Sequence, residues 1–182
     1  MRIPKILKRN YAEHEMCQKY TILHWQMCQK YGFLTTAKSY EHFVDKEMAV
    51  LENKEVKLLW DFSIQTEIRI DHNKPDLVLL DMKGRTCYII DVACPFDTRV
   101  EKKEKEIFEH FTDLKYELLK VWNREITKVY IIPIVIGALG IVTNNVAKYL
   151  EKIDFKCGLD PLQKACLLGT ARIMRKVLDY SK

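Results

Sequence analysis

Lys74-Pro75-Asp76-Leu77-Val78-Leu79-Leu80-Asp81-Met82-Lys83-Gly84-Arg85-Thr86-Cys87-Tyr88-Ile89-Ile90-Asp91-Val92-Ala93 is the stretch whose reading decides the fold. Leu77-Val78-Leu79-Leu80 and Cys87-Tyr88-Ile89-Ile90 are short, β-prone and bounded by turn residues, so they read as buried strands. Gly84 supplies the turn between them, in a loop of about three to five residues. Asp76 opens the first strand and Asp91 lies near the end of the second, so the hairpin returns Asp91 to the side of Asp76. A carboxylate at the end of an apolar strand is costly to bury unless it is paired or bound to a cation. Two of them converging make a hard oxygen site that suits Mg²⁺ or Mn²⁺. Their carboxyl groups must then lie within about 8 Å, because one ion with bonds of about 2.0–2.6 Å spans no more.

The charged run from Arg99 to Glu106 follows the hairpin and opens the clearest helix in the chain, Thr98 to Asn123. Thr98 suits the N-cap, with Glu101 at the capping-box position. At 100° per residue, Val100, Ile107, Phe111, Leu114, Leu118 and Val121 fall within about 40° of one line. Lys103 lies on that stripe, about 40° from its centre, and His110 borders it on the same side, whereas Lys102 and Lys105 point away. A lysine on a core-facing stripe either snorkels to solvent or serves the carboxylates beside it.

Upstream, Val56 to Phe62 and Ile64 to Ile70 are β-prone and predict an earlier hairpin, followed by an Asp71-His72-Asn73 turn. Glu67 would add an outer ligand if its strand neighbours that of Asp76, and is otherwise an exposed strand glutamate. Tyr40 to Glu52 reads as a short helix or loop, and Met1–Arg9 as a basic apolar lead. Asn10 to Tyr31 has helical periodicity and is ended by Gly32. His14, Cys17, His24 and Cys28 lie on it, but a single helix cannot wrap four ligands around a tetrahedral ion. They read as a packed amphipathic face.

Downstream, Lys128 to Ile136 predicts an apolar strand, Gly137-Ala138-Leu139-Gly140 a turn, and Thr143 to Lys152 a short helix. Asp160-Pro161 starts a last helix through Leu178. Its Lys164, Arg172 and Arg175 either track phosphates or form a solvated face, the second being the commoner use of such a run. No glycine pattern carries a nucleotide-binding fingerprint. The order predicts an α+β or α/β fold, a central mixed sheet flanked by helices, with an N-terminal helical segment at 1–31 and one compact unit at 32–182.

The 182 residues suffice for one domain with a sizeable core. No apolar run reaches the roughly 20 residues that span a bilayer; the longest, Tyr130–Val142, is broken by Pro133, Gly137 and Gly140. Six cysteines without framework spacing or a secretory signal imply reduced thiols in an intracellular protein. A net charge of +5 permits a polyanionic partner without requiring one.

Helix, strands with aspartates at two strand ends, then helix, strand and helix is the order of the PD-(D/E)xK nuclease core. From about His24 to Asp179 the chain resembles the C-terminal restriction-like endonuclease segment of non-LTR retrotransposon polyproteins. The matching stretches are Leu23-His24-Trp25-Gln26, Trp60-Asp61-Phe62-Ser63-Ile64-Gln65-Thr66, Lys74-Pro75-Asp76, Ile90-Asp91-Val92-Ala93, Ile134-Val135-Ile136-Gly137-Ala138-Leu139-Gly140 and Leu167-Leu168-Gly169-Thr170-Ala171-Arg172. In that family the domain nicks target DNA so that the element's reverse transcriptase can prime on the 3′ end.

The resemblance implies that Asp76 and Asp91 hold Mg²⁺ or Mn²⁺. It also implies partners: DNA, and the reverse transcriptase and element RNA of a parent polyprotein, with action in the nucleus. Two departures bear on activity. Ala93 stands where the usual lysine follows the second acid, and Glu109-His110-Phe111 stands where Glu-Lys-Tyr is common. Lys103 is the substitute candidate, chosen by its place on the stripe; it should lie level with Asp91, and His110 about 10 Å farther along the helix. Lys74 and Arg99 are the candidate phosphate contacts. The alternative is a degenerate remnant that binds nucleic acid without cutting it.

Overall fold

The computed structural model describes residues 21–36, 49–155 and 158–179. Its elements are helix α1 (residues 21–30), strands β1 (Val50–Glu52), β2 (Val56–Trp60), β3 (Leu77–Asp81) and β4 (Thr86–Ala93), helix α2 (Val100–Val121), strand β5 (Lys128–Val135), and helices α3 (Asn145–Lys152) and α4 (Asp160–Asp179). The strands form one mixed sheet in the order β1-β2-β3-β4-β5. The first three pairings are antiparallel, and β4 and β5 are parallel. A parallel pair needs a crossover, and α2 supplies it.

Alternation along the strands explains the layering. Leu58, Leu77, Leu79, Ile90, Val92, Ile132 and Ile134 point to one face, where they pack with Leu23, Met27 and Cys28 of α1 and with residues of α3 and α4. Leu59, Val78, Leu80, Cys87, Ile89, Val129 and Ile131 point to the other, beneath Ile107, Phe111, Leu114 and Leu118 of α2. Both faces are covered, so the strands read as continuous apolar runs. Asp76 and Asp91 share the parity of Val78 and Ile89, and therefore lie on the α2 side.

The central hairpin forms as expected, in register Leu77↔Ile90 to Asp81↔Thr86. Its loop is Met82-Lys83-Gly84-Arg85, but Arg85, not Gly84, takes the left-handed conformation, with φ of 49°. Gly84 is required for a different reason. Its N–H donates to Asp81 Oδ1 at 2.9 Å, and a Cβ there would collide with the same carboxylate. Gly84→Ala should cost about 1 kcal/mol in urea denaturation, and Asp81→Ala a similar amount, since each removes one hydrogen bond. The double variant should cost no more than either single one; additive losses would show that the bond is not the shared cause.

Several expectations are corrected. Ile64 to Ile70 forms no strand; the segment after Trp60 is irregular, and β1 takes the place beside β2. The Asn73 carbonyl holds that segment by accepting from the Ile64 N–H at 2.9 Å, which occupies backbone groups a strand would need. Glu67 consequently lies at the surface, 3.1 Å from Lys120, and is not a ligand neighbour of Asp76. Thr98 does not cap α2: Asp97–Arg99 form a 3₁₀ turn, and Arg99 is the cap position without a side-chain bond. Within α1, His24 and Cys28 are fully buried and meet each other, with Cys28 Sγ 3.6 Å from His24 Nδ1. Burial pushes the Cys28 thiol up to about 12, unsuited to a metal thiolate. His14 and Cys17 lie outside the described residues. Gly32 ends α1 with φ of +72°.

Candidate metal centre

The site is assembled where three neighbouring strands end. Extending the pairing Trp60↔Leu77↔Ile90 by one residue sets Asp61, Asp76 and Asp91 in a row. The Asp61 N–H donates to the Asp76 carbonyl at 2.9 Å, continuing the ladder to its last rung. Asp61 then turns out of the sheet with φ of 45°, and its carboxylate pairs with Lys74 Nζ at 2.8 Å. Asp76 and Asp91 instead lie largely buried on the α2 side, close enough for each carboxyl to act on the other. The hairpin register sets the two residues side by side, as expected.

The electrostatics follow from that contact. Burial, then the adjacent Asp91 carboxylate, push the Asp76 carboxyl up to about 8, although the Val92 N–H donating to its Oδ2 at 2.7 Å works the other way. Burial also raises Asp91, opposed by its bond from Asp76 and by the positive charges of Lys103 and His110. Two like charges this close do not ionise together readily, so in the metal-free chain the pair retains a proton well above the usual carboxylate range. Two buried hard oxygens side by side could hold a divalent cation whose remaining ligands are waters. Among the described residues no group of three or more His, Cys, Asp or Glu is arranged to hold a metal. Asp76 and Asp91 are the residues that could hold an ion here, and two carboxylates are a donor set suited to Mg²⁺ or Mn²⁺.

Helix α2 brings its cations over the pair. Lys103 is about one-third exposed, its Nζ 3.5 Å from Glu106 Oε2, and its charge acts on Asp91 through space. His110 was expected out of reach, yet its charge also bears on Asp91. Its ring is exposed and stacked on His72, with centroids 4.1 Å apart and planes 10° from parallel. Because His72 precedes Asp76 in the irregular segment, that stack ties α2 to the loop beside the carboxylates. Arg99 is exposed and, with Pro95, Phe96, Lys102, Lys103 and Glu106, lines a cavity of about 230 Å³ at the start of α2. Lys74 is engaged with Asp61, at the end of the neighbouring strand. Asp61 is the residue of this site that sequence reasoning missed; its signal was the same apolar-run-then-Asp pattern as Ile90-Asp91.

The raised carboxyl makes stability pH-dependent in the metal-free chain. Unfolded Asp76 titrates near 3.9, folded Asp76 near 8, so between those values the folded chain holds a proton that the unfolded chain has lost. The stabilisation is complete below about pH 4 and declines toward pH 8, by at most about 1.4 kcal/mol per unit. Urea denaturation in EDTA at pH 5, 6.5 and 8 should show this decline, and Asp76→Asn should flatten it. Parallel profiles for the two proteins would refute the shared proton.

No family model and no curated protein matches the chain. No helix among the described residues is long and apolar enough to cross a membrane.

Proposed function

We propose that the chain is a divalent-metal-dependent DNA endonuclease, a nickase of the restriction-like class carried by non-LTR retrotransposons. The observation that carries this reading is the Asp76–Asp91 carboxyl pair, buried at adjacent strand ends under the cationic side of α2. It is supported by the five-stranded mixed sheet and by the resemblance of the Lys74-Pro75-Asp76 and Ile90-Asp91-Val92-Ala93 stretches. When bound, Mg²⁺ or Mn²⁺ supplies Lewis-acid polarisation of the phosphodiester and a more acidic water. Asp76 and Asp91 hold the ion, and the Val92 N–H fixes the Asp76 carboxylate. The Lys103 ammonium leaves Glu106 to neutralise charge developing on the phosphorane oxygens. Lys74 and Arg99 contact the flanking phosphates.

The test is supercoiled plasmid incubated with the purified chain. Open circle should accumulate with Mg²⁺ or Mn²⁺ and not with EDTA. Binding measured apart from cutting should weaken steeply with salt, by about 0.9 log units per phosphate contact per log unit. A second reading, binding without cutting by a degenerate site, is favoured by one observation: Lys103 is engaged with Glu106, and His110 occupies the surface beside the carboxylates. It predicts salt-dependent binding with no open circle.

A further inference from the structure

Phe96 is 76% exposed, although the backbone around it is hydrogen-bonded to a neighbouring loop. The Ala138 N–H donates to the Pro95 carbonyl at 2.9 Å, and the Leu139 N–H to Asp97 Oδ1 at 3.1 Å. Gly137 presses so closely on Asp97 that any Cβ there would collide with its carboxylate. The Arg99 N–H donates to the Phe96 carbonyl at 2.8 Å, locking the 3₁₀ turn behind the ring. The Phe96 ring is thus presented to solvent on a backbone tethered at several points. Leu139, 65% exposed, stands on the loop to which this one is fastened.

The surroundings indicate what kind of ligand. Phe96 lines the same cavity as Arg99, Lys102 and Lys103, with Glu106 the one acid among the lining residues, and the charge of Lys103 extends to Asp91. Cations beside an exposed aromatic suit a nucleic acid strand: phosphates meet the cations and a base meets the ring. An intact duplex buries its base faces and offers Phe96 nothing to stack on.

We infer that Phe96 stacks on an unpaired or unstacked base next to the scissile phosphate, so that the site prefers DNA carrying a single-stranded junction over intact duplex. The inference rests on the nuclease reading and names its substrate class. Phe96 is a specificity residue; it holds no metal and touches no reacting atom.

Binding in EDTA separates this from catalysis. A duplex and the same duplex with a single-stranded flap, carrying a fluorescent adenine analogue at the junction, are titrated with the full chain. Flapped DNA should bind about tenfold more tightly than duplex, as expected for one stacked base, with quenching of the analogue. Phe96→Trp should keep both effects. Phe96→Ala should lose both and leave duplex affinity unchanged. Equal affinity for the two DNAs, or a preference kept by Phe96→Ala, overturns the inference while leaving the nuclease reading intact. Self-association abolished by Phe96→Ala without change in DNA preference also overturns it, assigning the tip to a protein contact. Binding to neither DNA overturns the nuclease reading itself.

Discussion

Asp91→Asn is expected to reduce plasmid nicking by at least about two to three orders of magnitude, the range for losing one preorganised electrostatic group. The substitution is isosteric, and the amide oxygen it introduces can still accept the hydrogen bond from Asp76, so the fold should survive. What it removes is one of the two carboxylates on offer to a divalent ion. The same variant should lose the rise in melting temperature that Mg²⁺ or Mn²⁺ gives the parent by linkage. The two effects must disappear together. Nicking that persists in Asp91→Asn would reject the mechanism, and a persistent thermal shift would move the ion elsewhere.

Lys103→Ala should lower nicking by about a hundredfold while leaving the metal-induced thermal shift in place. The reasoning is geometric. Lys103 lies one turn into α2, on the flank that faces Asp91, and its charge is felt there. Its contact with Glu106 is a partly exposed i,i+3 pair, worth only a few tenths of a kcal/mol, so a phosphate oxygen competes for the ammonium easily. His110→Ala is the internal comparison. If His110→Ala abolishes nicking and Lys103→Ala does not, the histidine holds the role assigned to the lysine.

The hairpin and its carboxyl pair were legible because several signals agreed. Two β-prone runs flank a glycine turn, and one-residue parity puts Asp76 with Val78 and Asp91 with Ile89. The long helix was legible because its stripe repeats over about six turns. The irregular segment after Trp60 was not. Ile64 to Ile70 has strand propensity, but Ile64 is buried and Ile70 half-buried in the cluster beneath α2 while Ile68 between them is exposed, so the regular alternation of a strand is lost. Asp61 was missed because its place in the row depends on β2 pairing with β3, a long-range register. The Thr98 cap failed for a related reason. Asp97 is drawn to the Leu139 N–H of a distant loop, which makes the 3₁₀ turn and shifts the helix start by two residues. The stack of His72 on His110 joins residues 38 positions apart in chain order and leaves no local trace.

The central claim is that Asp76 and Asp91 form one divalent-ion site, and manganese binding tests it most directly. Mn²⁺ is titrated into the metal-free chain at about pH 8, where the shared proton is leaving, and the unbound ion is counted by electron paramagnetic resonance. The parent chain should withdraw Mn²⁺ saturably, more weakly at about pH 6 where the proton competes, and Asp76→Asn should withdraw none. An unchanged free-ion signal in the parent, or equal uptake by Asp76→Asn, would contradict the account.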